Sequence, residues 1–121
     1  MRNAERAALI WPVLVMAAQN RQILTYALVA KLVGALARGL GAALEPIQSY
    51  CLLKKLPPLT ILVVNSDTGM PGIGFIAAKD IPKAQQTVFT FDWLKLGPPS
   101  SEALADAAAK LPSNGAKLQQ E

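Results

Sequence analysis

Leu36, Leu40, Leu44, Ile47 and Cys51 recur at intervals of four, four, three and four residues. That spacing puts them on one side of a helix and predicts a helix starting near Leu36 with a buried stripe. Pro46 falls inside it, and a proline there removes a backbone hydrogen bond, so a break or kink is expected. Upstream, the apolar run AALIWPVLVMAA predicts a first helix over about residues 4–19, with Pro12 bending it or opening its second segment. The polar stretch QNRQIL connects it to a second helix, YALVAKLVG, which Thr25 is placed to cap and Gly34 to end.

The pattern changes at Pro57-Pro58, which stop the third helix. LTILVVN reads as a strand by its β-branched content. SDTGMPGIG is turn chemistry, with Asp67, Gly69, Pro71, Gly72 and Gly74, and FIAA is the candidate returning strand. Asp80 is placed to cap a helix from Pro82 to about Leu96, with Ala84, Val88, Phe91 and Leu94 at helical spacing, although VFTFDW also alternates as a strand would. GPPSS is a linker and SEALADAAAKL a short helix. No internal repeat is present.

The expected fold class is therefore α+β, a winged helix-turn-helix with three N-terminal helices, a β-hairpin wing and C-terminal helices. Residues 1–96 form the winged-helix-like domain, 97–111 a linker and short helix, and 112–121 a disordered tail. A length of 121 residues suits one domain.

Composition removes several functions. There is no histidine and a single cysteine, Cys51, so no Ser-His or Cys-His arrangement, no internal disulfide and no thiolate-imidazole zinc site can be built. Cys51 lies on the buried stripe, where a thiol behaves as a small hydrophobe. Asp67, Asp80 and Asp92 show no pairing that would suit acid–base work. No cofactor or metal is expected, and the chain is read as a non-enzyme. The lone cysteine fits a reducing, cytoplasmic location. The apolar run after Arg2 and Arg6 has the look of a signal-peptide core, but Glu5 and Trp11-Pro12 interrupt that pattern, and at 12 residues it falls short of the roughly 20 that span a bilayer. A buried first helix is the expected reading, with no membrane partner.

Charge is uneven. Residues 1–64 hold Arg2, Arg6, Arg21, Lys31, Arg38, Lys54 and Lys55 against Glu5 and Glu45, whereas acids slightly outnumber bases in the remainder of this +4 chain. A basic first half points toward nucleic acid or an acidic protein surface. The glycines at 69–74 match the phosphate-cradle templates poorly. A P-loop needs GxxxxGK[ST] before a helix, and here no lysine follows until Lys79. A dinucleotide fingerprint needs a third glycine, and Phe75 opens an apparent strand instead. A hairpin tip in which glycines supply positive φ is expected.

LTYALVAKLVG, then ARGLGAAL, then LPPLTILVVNSDTG resembles the DNA-binding domain of the alkylguanine-DNA alkyltransferases and their non-catalytic alkyltransferase-like relatives. That family carries a tryptophan-bearing helix, a TYxxLAxxxG helix, an RAVGxAL recognition helix and a PCHRVV active-site segment. Trp11, Thr25-Tyr26, Ala30, Gly34, Arg38, Gly41, Leu44 and Val63-Val64 follow the same order, over roughly residues 9–75. Where the family has Pro-Cys-His-Arg, this chain has Leu59-Thr60-Ile61-Leu62, so the acceptor thiol and its activating base are missing and alkyl transfer is rejected. The segment between Gly41 and Pro57 is also longer than in the family. The resemblance implies DNA contact, with Arg38 inserted beside a flipped base and Tyr26 on the backbone.

Lys31, Lys54 and Lys55 would add phosphate contacts. Gly39, Gly41, Ala42 and Ala43 cannot read base edges, so no sequence specificity is expected from the third helix. Two readings follow. One is a non-enzymatic winged-helix protein that contacts duplex DNA through Tyr26, Lys31, Arg38, Lys54 and Lys55. The other is a small protein–protein interaction module or inhibitor that uses Phe89, Phe91 and Trp93 as interface anchors.

Overall fold

The computed structural model describes residues 1–72 and 75–112. Chain order gives α1 (Asn3–Gln19), β1 (Leu24–Thr25), α2 (Tyr26–Leu32), α3 (Leu40–Leu53), β2 (Val63–Val64), α4 (Ile81–Thr90), α5 (Trp93–Leu96) and α6 (Ser101–Lys110). Single 3-10 turns at Ala37–Gly39 and Leu59–Leu62 precede α3 and β2. The architecture is mixed helix and sheet, and its described sheet is one parallel pair with Leu24 opposite Val63 and Thr25 opposite Val64.

The helix starts follow local chemistry. Thr25 Oγ1 accepts from the Leu28 amide at 3.2 Å, and Asp80 Oδ1 accepts from the Lys83 amide at 3.2 Å, so each side chain occupies one orphan donor of a first turn. Gly34 turns the chain away from α2 at φ +68°, in the left-handed region that glycine enters without a steric cost. The helical paths of α1 and α3 continue through Pro12 and Pro46, respectively, with no interruption in either element.

Three expected elements take another form. LTIL is a 3-10 turn rather than a strand, and the two strand residues after it pair with β1 in parallel rather than with a returning strand. Residues 75–78 carry no strand. Among the described residues the antiparallel link is the bridge between Val64 and Pro71, reinforced by the Asn65 amide on the Met70 carbonyl at 2.9 Å. Proline itself has no amide with which to extend a ladder. The expected helix from Pro82 to Leu96 is two helices. Phe91 is extended, and Asp92 caps the second by accepting from the Lys95 amide at 3.2 Å.

A single core joins the N-terminal helices to α6. Trp11, Ile10 and Leu14 of α1, Leu40 and Ile47 of α3, Ile61 and Leu62 of the second 3-10 turn, Trp93 and Leu104 are all buried together. α6 packs on both α3 and α1, so Gly97–Ser100 links two parts of one core. The tail expected over 112–121 lies outside the described residues from 113 onward.

Candidate nucleic-acid interface

The connection from α2 to α3 brings the candidate residues into view. α2 and the segment Ala37–Leu53 meet at 99°, and residues 33–36 span the corner. Arg6 reaches across from α1, its Nη1 donating to the Val33 carbonyl at 3.2 Å, which fastens the end of α2. Arg38 sits in the 3-10 turn just beyond the corner, exposed to solvent. Lys31, in the last turn of α2, is exposed as well. The ion pairs among the described residues are Arg2–Glu5 at 3.2 Å and Lys110–Asp106 at 3.0 Å, so neither Arg38 nor Lys31 is neutralised by a carboxylate.

α3 runs on directly from the 3-10 turn, whose Leu36 and Ala37 carbonyls accept from the Gly39 and Leu40 amides. A Cβ added at Gly39 or Gly41 would meet nothing within 4 Å. Beyond this first turn most of α3 is buried, with Ala43, Leu44, Pro46, Ile47, Gln48, Ser49 and Cys51 inside and Leu53 exposed at its end.

The five residues expected on one DNA-binding face are not brought together. Lys54 and Lys55 lie at the far end of α3, a helix of 14 residues, which puts them about 21 Å from Arg38 at the usual rise. Lys54 Nζ stands 5.9 Å from the Tyr50 ring centre. Tyr26 is half-buried, and its hydroxyl accepts from the Gly72 amide at 3.0 Å, so this oxygen bonds within the protein.

Tyr26 also lines a cavity of about 50 Å³ with Gly41, Leu44, Glu45, Gln48, Thr60 and Phe75. Such a space holds one or two waters rather than a nucleobase. Partial burial raises the Glu45 carboxyl above its ordinary range. Thr60, in the segment where the alkyltransferase resemblance would put the acceptor motif, is 6% exposed. Cys51 is buried, and its thiol is pushed up to about 12, with the Leu59 amide offsetting part of the effect of burial. A thiol so placed is a poor nucleophile. No cluster of three or more His, Cys, Asp or Glu among the described residues could hold a metal ion, and no single described helix is long and apolar enough to cross a membrane.

The aromatic set has a different place from the one expected of interface anchors. Trp93 is 1% exposed, its indole donates to the Val88 carbonyl at 2.8 Å, and its ring meets Trp11 edge-on at 5.8 Å. Phe89 and Phe91 are partly buried against the same core, with the Phe91 ring 4.5 Å from Trp93. Trp93 therefore has no face to offer a partner. Large apolar side chains do stand outside the core, among them Met16, Leu32 and Leu94. Helical spacing put Leu94 in the apolar series of one long helix and passed over Met16 and Leu32, because it gives the period of an apolar face and not which of two faces is covered.

No protein-family model matches the chain, and neither a curated protein nor a solved structure matches it.

Proposed function

We propose that this chain is a non-enzymatic duplex-DNA-contacting domain of the winged helix-turn-helix type, akin to the alkyltransferase-like proteins without their acceptor motif. The observation that carries this reading is the corner at Arg38. Two helices cross at 99° over a four-residue connection containing Gly34, within the range of helix-turn-helix units. Arg38, in no ion pair among the described residues, stands exposed in the first turn of that second segment, where its guanidinium favours phosphate. The turn closed by the Val64–Pro71 bridge takes the place of the wing.

The contact is small and sequence-independent. Near Arg38 only Gly41 and Ala42 of α3 are exposed, and they cannot form bidentate bonds to base edges, although they let a phosphate backbone approach closely. With Arg38 and Lys31 as the principal contacts, log affinity falls with log salt with a slope of about −2. Titration of a fluorescent duplex at low and moderate salt tests the reading. Arg38→Ala removes most of the binding and flattens the slope by about one, whereas Lys54→Ala/Lys55→Ala changes little. Absence of low-salt binding would sink the proposal.

A further inference from the structure

Gly41, Leu44, Glu45 and Gln48 stand at i, i+3, i+4 and i+7 along α3, so they share one side of the helix, and all four line the cavity of about 50 Å³ beside Tyr26, Thr60 and Phe75. Leu44 and Gln48 are buried, Glu45 is partly buried and Gly41 is exposed. This side of α3 therefore leaves the interior at Glu45 and reaches water at Gly41. The polar wall is held by long-range bonds. The Tyr26 hydroxyl accepts from the Gly72 amide at 3.0 Å, and Gln48 Oε1 accepts from the Ile76 amide at 2.9 Å. The duplex contact proposed above runs over Gly41, and one turn further along the same side stands a carboxyl.

Glu45 is the acidic side chain of that wall, and Tyr26 on α2 is the other titratable group that lines it. Of the elements packed on α3, the 3-10 turn before it carries Arg38, α2 carries Lys31, α1 carries Glu5 and Arg6, and α6 carries Glu102, Asp106 and Lys110. The second 3-10 turn carries no charge, and α3 itself adds Tyr50 and Cys51. None of these lines the cavity, and burial is the cause that raises the Glu45 carboxyl. A phosphate set against Gly41 brings a like charge about one helical turn from that carboxyl, where side chains at i and i+4 are roughly 5–6 Å apart. Burial and a like charge push a carboxyl the same way, toward the neutral acid.

We infer that Glu45 couples duplex contact to a proton: its carboxylate opposes phosphate at Gly41 and Arg38, and its neutral acid admits it. This rests on the reading of the Arg38 corner as a duplex contact. The bound duplex raises the carboxyl further, so affinity is highest below the free protein's titration, falls as pH rises through the range between the free and bound values, and is level above it. The chain has no histidine, so no imidazole titrates in that range. The experiment is titration of a fluorescent duplex at one low salt concentration from pH 5 to 7.5, with the parent, Glu45→Gln and Arg38→Ala. Parent affinity is expected to fall about tenfold over the range, which corresponds to roughly one pKa unit. Glu45→Gln holds the low-pH affinity throughout, and at pH 7.5 it binds about tenfold tighter than the parent at an unchanged melting temperature. Glu45→Ala behaves as Glu45→Gln does, which separates loss of the charge from any effect of the amide. Binding that is lost in Arg38→Ala but indifferent to pH overturns this inference and leaves the Arg38 contact standing. A pH dependence that persists in Glu45→Gln also overturns it. Absence of parent binding at every pH overturns both.

Discussion

The Tyr26 hydroxyl accepts a hydrogen bond from the Gly72 amide across 46 residues of sequence, and a side chain at Gly72 would occupy the position of that hydroxyl. The phenol thus ties the start of α2 to the far side of the turn after β2. Gly72 is required for closeness rather than for φ, since the described glycines with positive φ are Gly34, Gly69 and Gly97. Gly72→Ala is expected to cost about 1–3 kcal/mol from overlap. Tyr26→Phe should cost about 1 kcal/mol for the lost bond. Because phenylalanine lacks the clashing oxygen, the double variant is expected to be less destabilised than the sum of the two. Urea unfolding of the three variants checks this.

Trp93 separates a core role from a binding role. Trp93→Phe keeps a ring but leaves the Val88 carbonyl without its donor, at a cost of about 1–3 kcal/mol. Trp93→Ala also opens a cavity between Trp11 and Phe91 and should cost about 3–5 kcal/mol. Denaturant midpoints measure both. A surface anchor would show changes within about 0.5 kcal/mol.

Cys51 gives a pH signature. Its thiol is raised from 9.0 to about 12 by burial, so the folded chain holds this proton more tightly than the unfolded chain does. The resulting stability is complete below the ordinary thiol range and is lost as pH rises from about 9 toward 12, at up to about 1.4 kcal/mol per pH unit. The stability difference between the parent and Cys51→Ala should narrow or invert over that window and stay constant below it. Labelling by a disulfide reagent at pH 8 should proceed no faster than opening of the fold, because only about one thiol in ten thousand is ionised there.

Gly41 allows binding and stability to be moved in opposite directions. It lies in the first turn of α3 with open space around it, so Gly41→Ala should stabilise by about 0.4–1 kcal/mol. Gly41→Glu adds a carboxylate that suits the positive end of the helix, and the fold should again gain. The same charge beside Arg38 should weaken low-salt duplex binding several-fold. Thermal melts and duplex titration of the two variants read these effects separately.

Local signals gave the helix ends and much of the core. The spacing of Leu40, Leu44, Ile47 and Cys51 is the buried stripe of α3, while Leu36, first in that series, is 66% exposed because the chain is still turning the corner there. Thr25 and Asp80 cap as their side chains suggest. LTIL misled, while Val63 and Val64 after it do form a strand, because all six residues are buried and a short apolar run enclosed on all sides reads the same whether it is strand or turn. The division at Asp92 had a visible cap, but helical spacing across it was an equally good local pattern. At the candidate interface, Arg38 and Lys31 could be named from charge alone. The separation of Lys54 and Lys55 from them, the bond that engages Tyr26 and the burial of Trp93 all depend on contacts between distant segments, which no local pattern encodes.

The packing of α6 on α1 also sets an order of events during synthesis. α3 and the second 3-10 turn cover part of the inner face of the helix at residues 3–19, but Trp11 also lies edge-on to Trp93, and Leu104 joins the same core, so that face is completed only by chain made some eighty to ninety residues later. On the ribosome the surface around Trp11 emerges long before the last of its cover, and closure there waits on a long loop. In that interval it is a target for a chaperone, and a nascent chain arrested before Trp93 would still present it.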